Sequence, residues 1–158
     1  LSYSKIKQIN FFQLSDLVSA VAPFGILLGR FANFINIELY GRKTEFPFAM
    51  IYPNIDNMTR HPSQLYEAFL EGIILFIILF TYFNKTKSDP TIGKISGLFL
   101  ILYSIFRILI EFLREPDSHI GLIFNIVSMG QILSIPLLII GIMFFKKSWI
   151  SKKNLLKK

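Results

Sequence analysis

The sequence predicts an all-α fold, a polytopic transmembrane helix bundle with about four spans. Three observations carry that reading. The 158 residues are 53% hydrophobic and 15% aromatic, with a mean hydropathy of +0.53, more apolar than soluble domains of this size usually are. Four long apolar runs are separated by polar connections. Lysine and arginine are divided unequally among those connections. Water is absent from a bilayer core, so backbone groups there must bond within their own segment, and the runs are expected to be helices.

The first run covers about 14–37; its longest charge-free stretch is 17–29, and it contains Pro23 and Arg30. The second covers about 65–83, with Glu67 and Glu71 in its first turns. The third covers about 95–113 and carries Arg107 and Glu111. The fourth, 120–145, is free of charge throughout. A span needs about 20 mostly apolar residues, which the second and third runs reach only by including charged ends. Runs one to three alone would also suit the core of a soluble protein, but 120–145 requires lipid or an equally apolar partner. The connection 42–62 is the longest. It holds Pro47, Pro53, Asn54, Asp56 and Asn57 and is expected to be irregular or partly interfacial. Residues 146–158 form a basic tail, and the whole chain reads as a single membrane domain.

Composition narrows the chemistry. Cysteine is absent, which excludes disulfides, a thiolate nucleophile and a thiolate metal site in this segment. Only His61 and His119 offer imidazole, so a metal site would rest on carboxylates, and none is expected. The net charge of +7 does not point to nucleic acid, because the basic residues flank apolar runs. With a cytoplasmic N-terminus, eleven lysines fall inside and four basic residues (Arg42, Lys43, Arg60, Arg114) outside, a positive-inside assignment. The C-terminus is then cytoplasmic, where the lysine tail fixes topology and meets anionic inner-leaflet lipid. Eight of the ten acidic residues fall on the outer side. No initiator Met and no signal-peptide pattern precede the first run, so the chain reads as truncated or processed at its N-terminus.

Charges inside spans are costly and face a cavity or a partner. Arg107 and Glu111 are four apart, on one helical face, with Tyr103 a turn earlier. A structural ion pair, with the arginine reaching outward, and a functional pair both fit that spacing. Arg30 and Asn33 share a face, and Asn36 and Glu38 follow. Buried amides and charge need partners or a polar ligand. A guanidinium near the membrane surface suits a phosphate, as in lipid headgroups, because its planar fork makes two charge-assisted hydrogen bonds; a helix-packing polar cluster is the plainer alternative. His61 and Pro62 mark a helix start, where His61 is either an acid–base group or bonded to backbone. Gln64, Glu67 and Glu71 form one polar stripe. Asn125, Ser128 and Gln131 form a thinner one that interhelical hydrogen bonding explains.

The run Gly29, Arg30, Asn33, Phe34, Asn36, Glu38, Gly41 closely resembles the signature of the bacterial phosphatidylglycerol–prolipoprotein diacylglyceryl transferase family. The resemblance continues through 60–67, through Arg107, Glu111, Phe112, Arg114, Glu115, Pro116 and Asp117, and ends at 128–131. Together these blocks cover most of the chain from about residue 11 to 145. Ala32 and Ile37 stand where the family often has glycine, a change expected to alter close packing.

The resemblance implies a seven-span inner-membrane protein whose last four spans are present here. Its active face is toward the periplasm, and a conserved His-Gly-Gly region and an N-terminal tyrosine lie before Leu1. It implies transfer of the diacylglyceryl group of phosphatidylglycerol to the lipobox cysteine of a prolipoprotein, without a cofactor. Arg30 would hold the lipid phosphate. Arg107 would be a second cation, oriented by Glu111. Asn33, Asn36, Glu38 and Gly41 would shape the headgroup pocket. The general base would be the family histidine outside this chain. The competing readings are a transporter or channel fragment, with polar residues at mid-membrane and on both sides, and an inactive split or truncated product.

Overall fold

The computed structural model describes residues 6–7, 10–86, 92–116, 121–123 and 126–155. Lys5, Lys87, Asp117, His119, Asn125, Lys157 and Lys158, used in the sequence reading, lie outside the described residues.

Four helices account for most of the described chain: α1 (Phe11–Ile35), α2 (Ser63–Thr86), α3 (Lys94–Glu111) and α4 (Met129–Leu155). Asn10 starts α1 by accepting a hydrogen bond from the Phe12 amide at 2.9 Å, which satisfies one of the donors a helix start leaves unpaired. Pro23 sits inside α1 without ending it. Pro62 precedes α2, where its missing amide costs nothing. Between Ala68 and Ile74, α2 is π-helical. The wider turn shifts the residues that follow and is commonest at functional sites.

Three of these segments are long and apolar enough to cross a membrane: Phe11–Ile35, Ser63–Thr86 and Met129–Lys147. Helix α3 is as apolar along its middle but carries Lys94, Arg107 and Glu111. The run at 120–145 is not helical throughout. Gly121 is left-handed (φ +64°), and Leu122–Ile123 (β3) pairs antiparallel with Val127–Ser128 (β4) before α4 begins. The connection 42–62 is also less irregular than expected, since Met50–Ile51 (β1) pairs with Thr59–Arg60 (β2) in register Met50↔Arg60.

The helices alternate in direction. Asp16, early in α1, accepts from the Gly93 amide (2.7 Å), the Ser96 amide (2.8 Å) and the Ser96 hydroxyl (2.6 Å) at the start of α3. Arg30, late in α1, meets Glu67 and Glu71, early in α2. Glu111, at the end of α3, meets Gly130, at the start of α4. Helices α3 and α4 approach backbone to backbone: a Cβ on Gly97 would lie 2.9 Å from the Gly141 oxygen, and one on Gly141 would lie 3.0 Å from the Gly97 oxygen. Small residues allow this contact where lipid supplies no hydrophobic drive between helices.

Packing is inverted relative to a soluble protein. Among the described residues few apolar side chains are buried, and Ala20, Leu75, Leu79 and Ile95 form a small apolar centre. Leu17, Val21, Phe24 and Leu28 of α1 are each more than half exposed, while Gln64, Glu67, Glu71, Ser104 and Ser134 are buried. An apolar exterior this continuous marks a surface for lipid or a partner.

Helix α3 has no side-chain cap of its own, so its start depends on Asp16. Asp16→Ala should leave two buried amides unpaired and lower stability by about 1–3 kcal/mol. Thermal unfolding in detergent micelles measures this, and an unchanged midpoint would refute the capping role.

Candidate functional site

At the end of the bundle where α1 and α3 finish and α2 and α4 begin, three arginines converge on three glutamates. Glu67 is fully buried. One of its oxygens pairs with Arg107 Nη1, and Arg114 Nη1 approaches the same oxygen at 3.6 Å. Its other oxygen lies 3.2 Å from Arg30 Nη1. Arg30 Nη2 donates to Glu71 at 3.0 Å, and Arg107 Nη2 lies 3.0 Å from Glu111 Oε2. With all six groups ionised the cluster is formally neutral. Glu67 and Glu71 of the sequence stripe supply its centre, and both side chains are fully buried.

Gln64 does other work. It donates to the Glu38 carbonyl at 2.7 Å and accepts from the Tyr52 hydroxyl at 3.2 Å, tying α2 to the connection that follows α1. Gly41 lies where that connection passes between two backbones. Its amide donates to the His61 carbonyl at 2.9 Å, and an added Cβ would sit 2.8 Å from the Leu113 carbonyl. Arg60 fastens the same loop. It donates to Asp56 (2.8 Å), Glu115 (3.3 Å) and the Gly41 carbonyl (3.2 Å), and lies 4.9 Å from the centre of the Tyr40 ring. The Arg60 hydrogen bond, foremost, holds the Asp56 carboxyl below its ordinary range.

Of the residues singled out in the sequence, the structure brings Arg30, Arg107 and Glu111 into one cluster, together with Glu67 and Glu71. Asn33 is half-buried beside it, and its carbonyl accepts from the Glu38 amide at 2.9 Å. Asn36 caps α1 and is exposed. The Glu38 side chain is exposed, and its carbonyl is the acceptor for Gln64. His61 makes both kinds of contact: its backbone bonds Gly41 and Arg42, and its Nδ1 lies 3.3 Å from the Tyr66 hydroxyl. It borders an apolar crevice of about 530 Å³ with Phe46, Tyr66, Leu70, Leu109 and Leu113.

Two local features differ from the sequence expectation. Ser128 and Gln131 bond each other rather than another helix: the Gln131 amide donates to Ser128 Oγ (3.3 Å) and the Ser128 amide to Gln131 Oε1 (3.2 Å). That is a capping box starting α4, and the Ser-x-x-Gln spacing signals it. Ile37, expected to affect close packing, instead holds a left-handed backbone (φ +58°), as does Leu39 (φ +57°). Glycine meets that conformation without Cβ strain. The sequence presents Glu67 and Glu71 as part of a polar stripe; the rarity of paired acids in an apolar helix is the signal of their importance.

Long apolar helices around a buried, ion-paired polar end define a helical protein of membrane type with a polar site at one end. The chain belongs to a known family of that class: the prolipoprotein diacylglyceryl transferase family model matches residues 1–146. It is 57% identical over 134 residues to the phosphatidylglycerol–prolipoprotein diacylglyceryl transferase of Rickettsia akari (strain Hartford), covering 85% of this chain and 52% of that protein. It is 51% identical over 146 residues to the protein of the same name from Rickettsia bellii (strain OSU 85-389), covering 92% of this chain and 56% of that protein. The chain thus spans about half the length of the curated relatives it matches. Family membership sets aside the transporter reading.

Three measurements probe the site. Glu67→Ala should cost about 3–5 kcal/mol of stability, because it strands arginines inside the bundle; a denaturation midpoint equal to wild type would contradict the bridging role. Ile37→Gly should raise stability by roughly 1 kcal/mol, relieving the left-handed isoleucine; a lower midpoint would show that its side-chain contacts outweigh the strain. The folded-state pKa of Asp56 is lowered, so its bond to Arg60 contributes fully above the unfolded value, about 3.9, and is lost as pH falls through the folded one. The protection of the 56–60 amides, taken relative to the intrinsic exchange rate at each pH, should fall below about pH 4 and stay flat above it.

Proposed function

We propose that the complete protein transfers the diacylglyceryl group of phosphatidylglycerol to the thiol of a prolipoprotein lipobox cysteine. In this reaction a carbon–sulfur bond forms as the carbon–oxygen bond to phosphate breaks. Glycerol 1-phosphate leaves, and the thiol gives up its proton to a general base. The observation that carries the reading is the convergence of Arg30 and Arg107 on the shared carboxylate of Glu67. Each guanidinium has five N–H donors, more than its glutamate contacts take up, and both side chains remain partly exposed. The surplus suits a phosphate oxygen on which charge grows as the bond breaks.

In this reading Arg30 holds the lipid phosphate and Arg107 supplies the second cation, aligned by Glu67 and Glu111. Asn33, Asn36, Glu38 and Gly41 shape the turn beside the headgroup; Gly41 and the Glu38 carbonyl do so through backbone contacts with His61 and Gln64. α3 acts as a fourth span, and the cluster end faces the periplasm, as the positive-inside count supports. The prolipoprotein and the lipid then meet at the membrane surface.

Arg30→Ala and Arg107→Ala in the complete protein should each lower transfer at least about 100-fold while leaving membrane insertion intact. Mass measurement of a lipobox peptide incubated with phosphatidylglycerol vesicles reads this. Wild-type transfer by Arg30→Ala would remove the phosphate assignment.

A further inference from the structure

In an α-helix a step of four residues overshoots a full turn by about 40°. Side chains spaced by four therefore wind around the helix instead of lining one side. In α2, Glu67, Glu71, Leu75 and Leu79 follow that spacing, yet all are fully buried. The π-helical stretch Ala68–Ile74 takes up the overshoot, because its wider turn holds more residues. Both carboxylates and both leucines thus point into the bundle.

Gly72 lies buried in the middle of that stretch, next to Glu71. A Cβ on it would lie 2.8 Å from Leu27 Cβ and 3.0 Å from Leu27 Cα, on α1. No rotamer of Leu27 moves its own Cβ or Cα, so a side chain at position 72 must displace the α1 backbone. We propose that Gly72 is a positioning residue for transfer. Its contact with Leu27 sets the distance at which Arg30 meets Glu67 and Glu71, and with it the place where the guanidinium can hold a phosphate. The inference rests on the phosphate role given to Arg30 above.

The geometry links the contact to the site. Leu27 and Arg30 are three apart on α1 and share a face, while Glu71 adjoins Gly72 in the chain. Arg30 lies 3.2 Å from Glu67 and 3.0 Å from Glu71. Carbon atoms in contact sit about 3.5–4.0 Å apart, so a methyl on Gly72 would push α1 away by roughly 1 Å. Both ion pairs would then reach about 4 Å, outside hydrogen-bond range. An arginine that followed its glutamates would leave the phosphate, and one that kept the phosphate would lose its glutamates. Gly72 is a right-handed helical residue, absent from the positive-φ glycines, so what it contributes is the missing Cβ.

The test uses the complete protein, phosphatidylglycerol vesicles and a lipobox peptide. Gly72→Ala should lower kcat/KM for the lipid at least about 10-fold, since a misplacement of about 1 Å can cost up to about 100-fold. The KM for the peptide should stay within about two-fold of wild type. Gly72→Ala with Leu27→Gly, which moves the gap to the other helix, should return transfer to within about three-fold of wild type. That double variant carries a glycine in α1 and is the less stable protein. If packing alone mattered, transfer would follow stability and the double variant would be the least active; that outcome overturns the proposal, as does wild-type transfer by Gly72→Ala. Leu27→Ile keeps the side-chain volume but thickens it at Cβ. It crowds the same contact from α1 and should lower transfer about three-fold or more. A second readout needs no activity. In a double-mutant cycle of unfolding, the coupling factor between Arg30→Met and Glu71→Gln should fall at least about three-fold in the Gly72→Ala background; an unchanged factor overturns the proposal. No transfer by the wild type, with that coupling lost in Gly72→Ala, would count against the enzymatic reading and leave the helix contact standing.

Discussion

The shared carboxylate of Glu67 is the constraint around which the helix ends are arranged. A buried ion costs several kcal/mol in lost hydration, whereas one close pair returns about 4 kcal/mol at an effective dielectric of 20. A single partner would barely balance the cost. Glu67 has Arg30 from α1 and Arg107 from α3, with Arg114 behind them. The gain is therefore collected only when α1, α2 and α3 are all docked. Glu71 and Glu111 then occupy the remaining faces of Arg30 and Arg107. The cluster is at once the lock between helices and the place where two guanidiniums are held with donors to spare.

The opposite end of the bundle uses the same logic with backbone in place of arginine. Asp16 is a lone buried carboxylate, and its partners are the unpaired amides at the start of α3. The positive end of a helix stabilises such a charge. Between the two ends the contacts are short and nearly featureless: small residues at the α3–α4 crossing, a few buried leucines, and an outer face of leucine, isoleucine and phenylalanine. Polar contacts thus set the ends of the helices, while close packing sets their spacing.

The loop 42–62 closes one side of the site without entering it. Gly41, Arg42 and Arg60 bind it to the end of α3, and Gln64 binds its approach to α2. Glu38 and Gly41 are therefore tied into the structure through their backbones, by the Glu38 carbonyl and the Gly41 amide. Ile37 shows the cost of departing from glycine in such a turn: the backbone keeps its left-handed form although the side chain disfavours it.

Much was legible in the sequence. Hydropathy marks where helices must be, because an unpaired backbone in lipid is prohibitive, and α1, α2 and α3 fall close to the apolar runs. The i, i+4 spacing of Arg107 and Glu111 specified their pairing, which depends only on helical period. The start of α4 was not legible from apolarity, because a two-residue strand pair and a helix can share the same apolar composition; the Ser128–Gln131 cap was the better guide. The shared roles of Glu67, Asp16 and Gly130 were decided by tertiary structure alone. Their partners lie 40, 77 and 19 positions away, and sequence periodicity acts over a few turns, whereas these contacts arise only when separate helices meet.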